Sequence, residues 1–327
     1  MRRVIIDSDT AGDDTTAILM AMKYFKVEGI TIVAGNVAFD QEVDNALTTI
    51  ETYQPGYKIP VFKGYQNPMT ALPNETHDTV EEIQGGNGMG DAVFPKPTQT
   101  AEDGHAIDFI IDTVKANPGE IEILALAPLT NIAMAIKKAP EIMKDIKHIW
   151  IMGGVNNRLG NMNVSAEYNF YVDPEAARIV LNASTPKTMV TWDASLDFGV
   201  MYEEDIEEIQ ALNTKGSKFF LDINMFVREF ELAKRGIDGI TCTDSLLVAV
   251  AAVPELMLQA TEYYVDVETQ GQFARGYNIV DWEEEFKRAP NCRVAERISS
   301  QGFKDQLVSL LAEIQWGEFD GELAVLN

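Results

Sequence analysis

Short apolar runs, each ending in small or acidic residues and each followed by a helical pattern, constrain the fold of this chain most strongly. The runs are RVIID, GITIVAGN, IEILALAP, IKHIWIMGG and TMVTWD, and amphipathic segments such as DDTTAILMAMKYF and LTNIAMAIKKA follow them. Alternation of short buried strands with helices is typical of βαβ units, whose strands lie parallel in one sheet. The sequence therefore predicts an α/β fold with an open, mostly parallel, Rossmann-like sheet flanked by helices.

The last third of the chain has a different pattern. EYYVDVE, GYNIVDW and CRVAERI indicate strands with short connections, and FKDQLVSLLAEI indicates a final helix. No repeat, low-complexity tract or Pro/Gly/Ser-rich linker divides the sequence. We therefore predict one domain over residues 1–327.

The composition argues against several classes of partner. The formal net charge is -25, and such an acidic surface repels nucleic acid and anionic membranes. The two cysteines form neither a disulfide framework nor a zinc pattern. The first predicted strand begins at Arg3, which leaves no room for a signal peptide, and no apolar run is long enough to span a bilayer. We expect a soluble, cytoplasmic protein without nucleic-acid or membrane partners.

A cluster of four aspartates, in the segment DSDTAGDD, directly follows the first predicted strand. One or two of them could cap the next helix, but the others would repel each other in a crevice unless a cation were bound. A set of oxygen ligands without His or Cys suits Ca²⁺ or Mg²⁺ better than zinc. Ligands of open α/β sheets bind beyond the carboxyl ends of the strands. Three further polar clusters follow such ends: Asn36, the segment 126–131 and the segment 153–169.

Two classes of metal enzyme contain aspartates in this setting. A Mg²⁺-dependent phosphatase of the haloacid-dehalogenase type would need Thr or Val where this chain has Ala11, and no convincing lysine and acidic pair follow downstream. Five separated stretches resemble, in order and spacing, the calcium-dependent nucleoside hydrolases of the inosine-uridine preferring type. They are DSDTAGDDTTAILMA, VAGNVAFDQEVDNA, ILALAPLTNIAMA, IMGGVNNRLGNMNVSAEYNFYVDPEAARIV and TDSLLVAVA. PVFKGYQNP and VDVETQGQFARG extend this resemblance over nearly the whole chain.

The resemblance implies the nucleoside hydrolase fold and a reaction. The reaction is hydrolysis of the N-glycosidic bond of a purine or pyrimidine ribonucleoside to ribose and free base, as in base salvage. The resemblance also implies a homodimer or a homotetramer. The implied Ca²⁺ ligands are the side chains of Asp9, Asp14 and Asp244 and the backbone carbonyl of Leu126, and Asp9 would also be the general base.

Other residues would bind the substrate. The ribose would be held by Asp13, Asn36, Asn161, Glu167 and Asn169, and Phe226 or Phe230 would cover the nucleobase. Asp7 would orient the aspartate loop from behind. We expect purely structural roles for Thr130 and Asn131 as helix caps, for Asp173 as a helix N-cap, and for Trp192 and Asp193 at a strand end.

The chain departs from the family pattern at the general acid. The histidine that precedes the last calcium aspartate in the best-known members is Thr243 here, and a second family histidine is Gln84. None of the histidines at positions 77, 105 and 148 replaces either one. A threonine hydroxyl donates hydrogen bonds but is no general acid near neutral pH. Three alternatives remain. The leaving group needs little protonation or is activated by stacking and water, Cys242 contributes, or the protein has a changed substrate or has lost hydrolase activity while it keeps the ribose and calcium site.

Overall fold

The computed structural model describes residues 1–70, 79–156 and 158–317, and these ranges contain the predicted alternation of strands and helices. The strands are β1 (Arg3–Ser8), β2 (Lys26–Ile32), β3 (Val61–Lys63), β4 (Ile121–Ala125), β5 (His148–Met152), β6 (Lys187–Val190), β7 (Val200–Met201), β8 (Ile240–Thr241), β9 (Met257–Tyr263), β10 (Val265–Val267), β11 (Asn278–Val280) and β12 (Cys292–Ile298).

Helices follow most strands, and two 3-10 helices cover Pro140–Lys144 and Pro254–Leu256. The α-helices are α1 (Gly12–Tyr24), α2 (Phe39–Tyr53), α3 (Glu81–Gln84), α4 (Ala106–Ala116), α5 (Thr130–Lys138), α6 (Tyr168–Val172), α7 (Pro174–Asn182), α8 (Trp192–Phe198), α9 (Glu203–Ala211), α10 (Lys215–Arg235), α11 (Thr243–Ala252) and α12 (Ser300–Glu313). No helix in the described ranges is both long enough and apolar enough to cross a membrane.

One eight-stranded sheet organises the fold, with strand order β3-β2-β1-β4-β5-β6-β12-β9. Its neighbouring strands are parallel except for β12 and the edge strand β9, which pair antiparallel. The pairs β10-β11 and β7-β8 form two small separate sheets. The predicted open, mostly parallel sheet flanked by helices is confirmed.

Both faces of the sheet are covered, which explains why its strands are apolar at consecutive positions. Val4 and Ile6 belong to one buried cluster, together with residues of α1, α2, α10, α11 and α12. Ile5 points to the opposite face and belongs to a second cluster with residues of α4, α5 and α7. The two-residue period of a strand thus distributes one apolar run between two cores.

The sequence patterns misplaced several boundaries. EYYVDVE spans the end of β9 and all of β10, so it is not one strand. Trp192 and Asp193 do not close a strand, because β6 ends at Val190 and both residues lie in the first turn of α8. The three-residue strand β3 was not predicted, since so short a run carries no measurable period.

The topology also places the polar clusters together. Strands β1, β2, β4, β5 and β6 are parallel neighbours, so their carboxyl ends lie at one edge of the sheet. Asp9, Asn36, Leu126 and Trp192 follow four of these ends along the chain and line the same cleft. The predicted convergence at the carboxyl ends is therefore present in the structure.

Candidate active site

A cleft at the carboxyl edge of the sheet contains most of the predicted site residues. Those that line it are Asp9, Asp13, Asp14, Asn36, Leu126, Asn161, Glu167, Asn169, Thr243 and Asp244. Further lining residues include Gln84, Trp192, Asn224, Val227, Glu231 and Arg235. Residues separated by more than 200 positions thus form one predominantly acidic cavity.

Asp9 is a buried carboxylate in this cleft, with 1% of its surface exposed. Its Oδ2 has no hydrogen-bond partner among the described residues, while its backbone carbonyl accepts a 3.2 Å hydrogen bond from Asn36 Nδ2. Burial, followed by the charges of Asp14 and Glu42, raises the pKa of Asp9 well above its usual range. An unpaired, desolvated oxygen of this kind fits a role as proton acceptor or cation ligand.

Asp14 is a second buried carboxylate in this cleft. Its Oδ1 accepts a 2.7 Å hydrogen bond from Ser8 Oγ, and its Oδ2 accepts longer bonds from Ala11 N at 3.3 Å and Asn36 Nδ2 at 3.4 Å. Burial raises the pKa of Asp14 to about 7 although these bonds oppose the shift. Asn36 therefore links the Asp9 backbone to the Asp14 carboxylate.

Gly35 packs directly on the Asp9 side chain. A Cβ atom at Gly35 would lie 1.9 Å from Asp9 Oδ2 and 2.7 Å from Asp9 Cβ, so position 35 has no room for a side chain. Glu42 stabilises this loop, because its Oε1 accepts hydrogen bonds from the backbone amides of Gly35 at 3.0 Å and Val37 at 3.2 Å. The sequence interpretation assigned no role to Gly35 or Glu42, although both lie within VAGNVAFDQEVDNA.

We expect Gly35→Ala to lower kcat by about 10²-fold, because the added methyl group forces the Asp9 carboxylate out of place and misplacement by 1 Å has effects of this size. Gly271→Ala is the matched control, since a Cβ there would meet only ordinary contacts of 3.4 Å. Steady-state kinetics and thermal unfolding of both variants make the comparison. Equal kcat values for Gly35→Ala and the wild type would contradict the packing role.

Asp13 joins α1 to the N-terminus of α11. Its Oδ2 accepts hydrogen bonds from the amides of Asp244 and Ser245 and from Thr243 Oγ1, and its Oδ1 accepts a 2.8 Å bond from Ser245 Oγ. Asp13 therefore caps α11 and sets the position of Asp244. The resemblance implied only ribose binding for Asp13, and no feature of the linear sequence indicated this second contact.

Asp244 lies in the first turn of α11 and is 6% exposed. Its Oδ1 is buried without a partner in the described part of the chain. Burial, reinforced by the charges of Asp14, Asp13, Asp9 and Glu167, raises its pKa well above the usual range. The charges that oppose ionisation here are those that a bound cation would offset.

The donor set of this acidic wall fits a hard cation. The carboxylates of Asp9, Asp14 and Asp244 and the carbonyl of Leu126 all line the cleft and supply oxygen atoms only. No three acidic, histidine or cysteine side chains within residues 1–70, 79–156 and 158–317 converge into a preformed metal cluster.

The predicted ribose residues of the 161–169 segment are held by local contacts. Asn161 Oδ1 accepts a 2.8 Å bond from the Tyr168 amide, and Glu167 caps α6 through the amides of Asn169 and Phe170. Glu167 also accepts a 2.8 Å bond from Gly154 N, and burial raises its pKa to about 7. These carboxylate and amide groups are thereby fixed before any substrate binds.

Asn169 connects two of the strand ends. Its Nδ2 donates to the carbonyls of Leu126 at 2.9 Å and Met152 at 3.1 Å. A carbonyl oxygen has two lone pairs, so this bond leaves the Leu126 carbonyl able to accept a second interaction.

Asp7 lies behind the cleft and does not line it. Its Oδ1 accepts bonds from Thr31 Oγ1 at 2.5 Å and Asn131 Nδ2 at 2.8 Å, which connect β1 to β2 and α5 and agree with the predicted supporting role. Side-chain capping by Thr130 and Asn131 was wrong: α5 begins at Thr130 without a side-chain cap, and Thr130 bonds Asp173 instead. The predicted N-cap role of Asp173 is confirmed by its bond from Ala176 N at 3.0 Å.

No histidine of the described residues lines the cleft. His105 caps α4 and His148 contacts Thr188, whereas residue 77 lies outside the described ranges. Cys242 lies in the apolar core and not among the residues that line the cleft, and burial raises its pKa well above the usual range. Thr243 does line the cleft, and its hydroxyl donates to Asp13 at 3.2 Å. Gln84 lines the cleft as well.

Helix α10 presents a different face to the cleft than the sequence suggested. Neither Phe226 nor Phe230 lines the cavity in this structure, so the implied base-covering role has no contact to support it. Each lies one residue, or about 100° of helical rotation, before a residue that does. The residues of α10 that face the cleft are Asn224, Val227, Glu231 and Arg235.

The fold and the cleft together define an α/β protein with a carboxylate-rich site at the carboxyl edge of a parallel sheet. Residues 4–305 match the family described as inosine-uridine preferring nucleoside hydrolase. The chain therefore belongs to this family. This match confirms the predicted family, the predicted fold and the predicted hydrolysis of the N-glycosidic bond of ribonucleosides. The alternative prediction of a phosphatase is wrong.

Several relatives are similar over nearly their whole length. The pyrimidine-specific ribonucleoside hydrolase RihB of Escherichia coli is 31% identical over 304 residues, 92% of this chain and 94% of that protein. A purine-preferring ribonucleoside hydrolase from Gardnerella vaginalis has 33% identity and a TM-score of 0.87, covering 96% and 99% of the two chains. A plant nucleoside hydrolase has 28% identity and a TM-score of 0.88, covering 95% and 99%. The family is metal-dependent.

Proposed function

We propose that this protein is a Ca²⁺-dependent ribonucleoside hydrolase in which Asp9 is the general base. Asp9, Asp14, Asp244 and the Leu126 carbonyl would hold the ion. When bound, Ca²⁺ polarises a water molecule and lowers its pKa. The single observation that carries the proposal is the pair of buried, unpartnered oxygens, Asp9 Oδ2 and Asp244 Oδ1, in one cleft of the described chain.

Asp9 suits the removal of a proton from the attacking water. Its unpaired Oδ2 faces no competing donor among the described residues, so it is free to accept a proton. Gly35 and Glu42 fix the loop against which Asp9 packs. The carboxylate is therefore oriented before the reaction, which reduces the reorganisation needed in the transition state.

The remaining polar groups of the cleft suit a ribose. Asp13, Asn36, Asn161, Glu167 and Asn169 provide carboxylate and amide oxygens that accept hydrogen bonds from hydroxyl groups. The negative charge around them also stabilises the positive charge that develops on the sugar ring as the N-glycosidic bond breaks. Ground-state binding and transition-state stabilisation thus use the same residues.

Metal removal tests the proposal. We expect a chelator to lower hydrolysis of p-nitrophenyl riboside, inosine, uridine and cytidine by about 10³-fold or more, and Ca²⁺ to restore it, because a Lewis acid contributes several kcal/mol to such reactions. The p-nitrophenolate leaving group needs no general acid, so this substrate reports the ribose and calcium residues alone. Chelated protein with added Mg²⁺ is the control.

Two results would contradict the proposal. Activity that survives chelation, or that Mg²⁺ restores and Ca²⁺ does not, would exclude the calcium site. Ribose binding without turnover of any riboside would favour a binding protein that lacks activity. Turnover of the aryl riboside alone would locate the deficiency in the missing general acid.

The wider biological setting stays part of the proposal. We propose one domain over residues 1–327, a cytoplasmic location, and a homodimer or homotetramer that acts in purine or pyrimidine salvage without nucleic-acid or membrane partners. Either base class is consistent with the relatives, since one of them is named for pyrimidines and another for purines.

A further inference from the structure

Asn278, in the short strand β11, holds the start of the loop that leads to the predicted ribose residues. It is 2% exposed and is not among the residues that line the cleft. Its Oδ1 accepts a 2.6 Å hydrogen bond from the Val155 amide, and its Nδ2 donates to the Val155 carbonyl at 2.7 Å. One side chain thus satisfies both backbone groups of Val155, as a neighbouring strand would.

The peptide that joins Gly154 to Val155 is fixed at both of its polar groups. Its N–H donates to Asn278, and its carbonyl accepts a 2.9 Å hydrogen bond from the Trp192 amide. Gly154 has a φ of 72°, and a Cβ there would lie 2.7 Å from Asn278 Oδ1. Because glycine itself enforces no single conformation, these hydrogen bonds set the orientation of the peptide.

The amide of Gly154 connects this peptide to the active site. It donates a 2.8 Å hydrogen bond to Oε2 of Glu167, a proposed ribose residue that lines the cleft. The other oxygen of Glu167 accepts from the Asn169 amide at 2.9 Å. Rotation about Gly154 would remove its donor and leave Oε2 with the longer bond from the Phe170 amide, at 3.3 Å. The orientation of the Glu167 carboxylate therefore depends on the Gly154 backbone.

The segment that contains Asn278 also packs on the helix that Glu167 caps. Gly276 has a φ of 84°, and a Cβ there would lie 2.7 Å from Tyr171 Cα and 3.0 Å from the Phe170 carbonyl oxygen. The backbone of residues 276–278 therefore contacts α6 as well as the Gly154 loop. Both supports of the Glu167 carboxylate, the α6 amides and the Gly154 amide, are held by this one segment.

Resting on the proposed function, we infer that Asn278 is a positioning residue for ribose binding: it fixes the peptide between Gly154 and Val155, and through the Gly154 amide it holds the Glu167 carboxylate in the orientation that binds the sugar. Asn278 touches no substrate atom and takes part in no proton transfer. Because Glu167 acts on the sugar and not on the base, the effect of Asn278 does not depend on the leaving group.

Asn278→Leu tests this role, because leucine has a similar volume and makes neither hydrogen bond. We expect kcat/KM to fall by about 10²-fold, the usual effect of displacing an active-site group by about 1 Å, and by the same factor for inosine, uridine and p-nitrophenyl riboside. Asn291→Leu is the matched control, since Asn291 makes the same pair of bonds with Val265, at 2.8 Å and 2.9 Å, outside the cleft. Its replacement should lower the thermal midpoint and leave kcat/KM within about threefold of the wild type.

A double-mutant cycle tests the route through Glu167. In a Glu167→Ala background, Asn278→Leu should lower kcat/KM by less than about a further threefold, because the carboxylate that it positions is absent. Losses that multiply in the double variant would overturn the inference, since Asn278 would then act independently of Glu167.

The remaining outcomes separate this inference from a structural role and from the proposed function. An equal loss of kcat/KM in Asn291→Leu would overturn the inference, because general destabilisation would then explain both variants. Where Asn278→Leu does not fold, Asn278→Ser makes the same comparison, since its shorter side chain cannot reach both backbone groups of Val155. An active wild type with unchanged kcat/KM in the Asn278 variants would overturn the inference alone. A wild type that hydrolyses no riboside would overturn the proposed function and, with it, the inference.

Discussion

Replacing Asp9 by asparagine is expected to lower kcat for every riboside, the p-nitrophenyl riboside included, by at least about 10³-fold. The substitution removes the proton acceptor and one charge from the proposed calcium site while it keeps the side-chain volume. Because the loss does not depend on the leaving group, it differs from the effect of a missing general acid, which a p-nitrophenolate leaving group does not need. Steady-state kinetics with saturating Ca²⁺ measure it.

The same substitution should stabilise the chelated protein. In the folded state Asp9 is buried beside other carboxylates, and its pKa is raised well above the usual range. A carboxyl group whose pKa is higher in the folded state than in the unfolded state destabilises the fold once the pH exceeds its pKa in the unfolded state. A neutral amide at this position should therefore raise the thermal midpoint near pH 7 by a few degrees. Asp112→Asn, on the exposed surface of α4, is the control and should change neither property. A lower midpoint for chelated Asp9→Asn would contradict this assignment.

Replacing Asp13 by alanine is expected to produce the second large effect, on stability and activity together. The change leaves the amides of Asp244 and Ser245 and the hydroxyls of Thr243 and Ser245 without their shared acceptor. Hydrogen bonds to a charged group contribute about 1.5–3 kcal/mol each, and these overlap, so we expect a loss of roughly 3–5 kcal/mol in the free energy of unfolding. Denaturant unfolding measures it.

Activity should fall as well, because α11 carries the proposed calcium ligand Asp244. We expect Asp13→Ala to require more Ca²⁺ for half-maximal activity and to lose about 10²-fold or more in kcat. Asp13→Asn is the matched comparison variant. Its side-chain amide oxygen still accepts hydrogen bonds from the backbone amides of α11, so it should keep much of the stability that Asp13→Ala loses. If Asp13→Ala bound Ca²⁺ as tightly as the wild type, a role limited to ribose binding would be the better account.

Much of the fold follows from local patterns. Runs such as RVIID are apolar at consecutive positions because both faces of a parallel strand are covered, and this signal does not depend on distant residues. The pattern was weakest for β3, which is three residues long, and at EYYVDVE, where two strands of different sheets follow each other directly. A short strand forms because it pairs with neighbouring strands of the sheet, and the linear sequence does not show which strands pair.

The candidate site, like the fold, has features that the sequence predicts and features that only the packing decides. The aspartate cluster and the loop motifs identify the residue types and the strand ends, and the topology of a parallel sheet then brings Asp9, Asn36 and Leu126 to one cleft. The family resemblance implied that Phe226 or Phe230 covers the nucleobase, whereas their helical spacing favours core packing. The rotation of α10 about its axis decides which face meets the cleft, and packing sets that rotation.

The sequence by itself therefore determined the sheet, the family and the set of acidic oxygens near the carboxyl ends of the strands, because these depend on periodicity and motif spacing. The tertiary structure alone decided that Asp13 caps a helix 230 residues away, that Gly35 leaves room for the Asp9 carboxylate, and that Arg235 rests on Trp192. Such contacts join side chains that are distant along the chain. Their distances and directions arise only when the helices pack on the sheet.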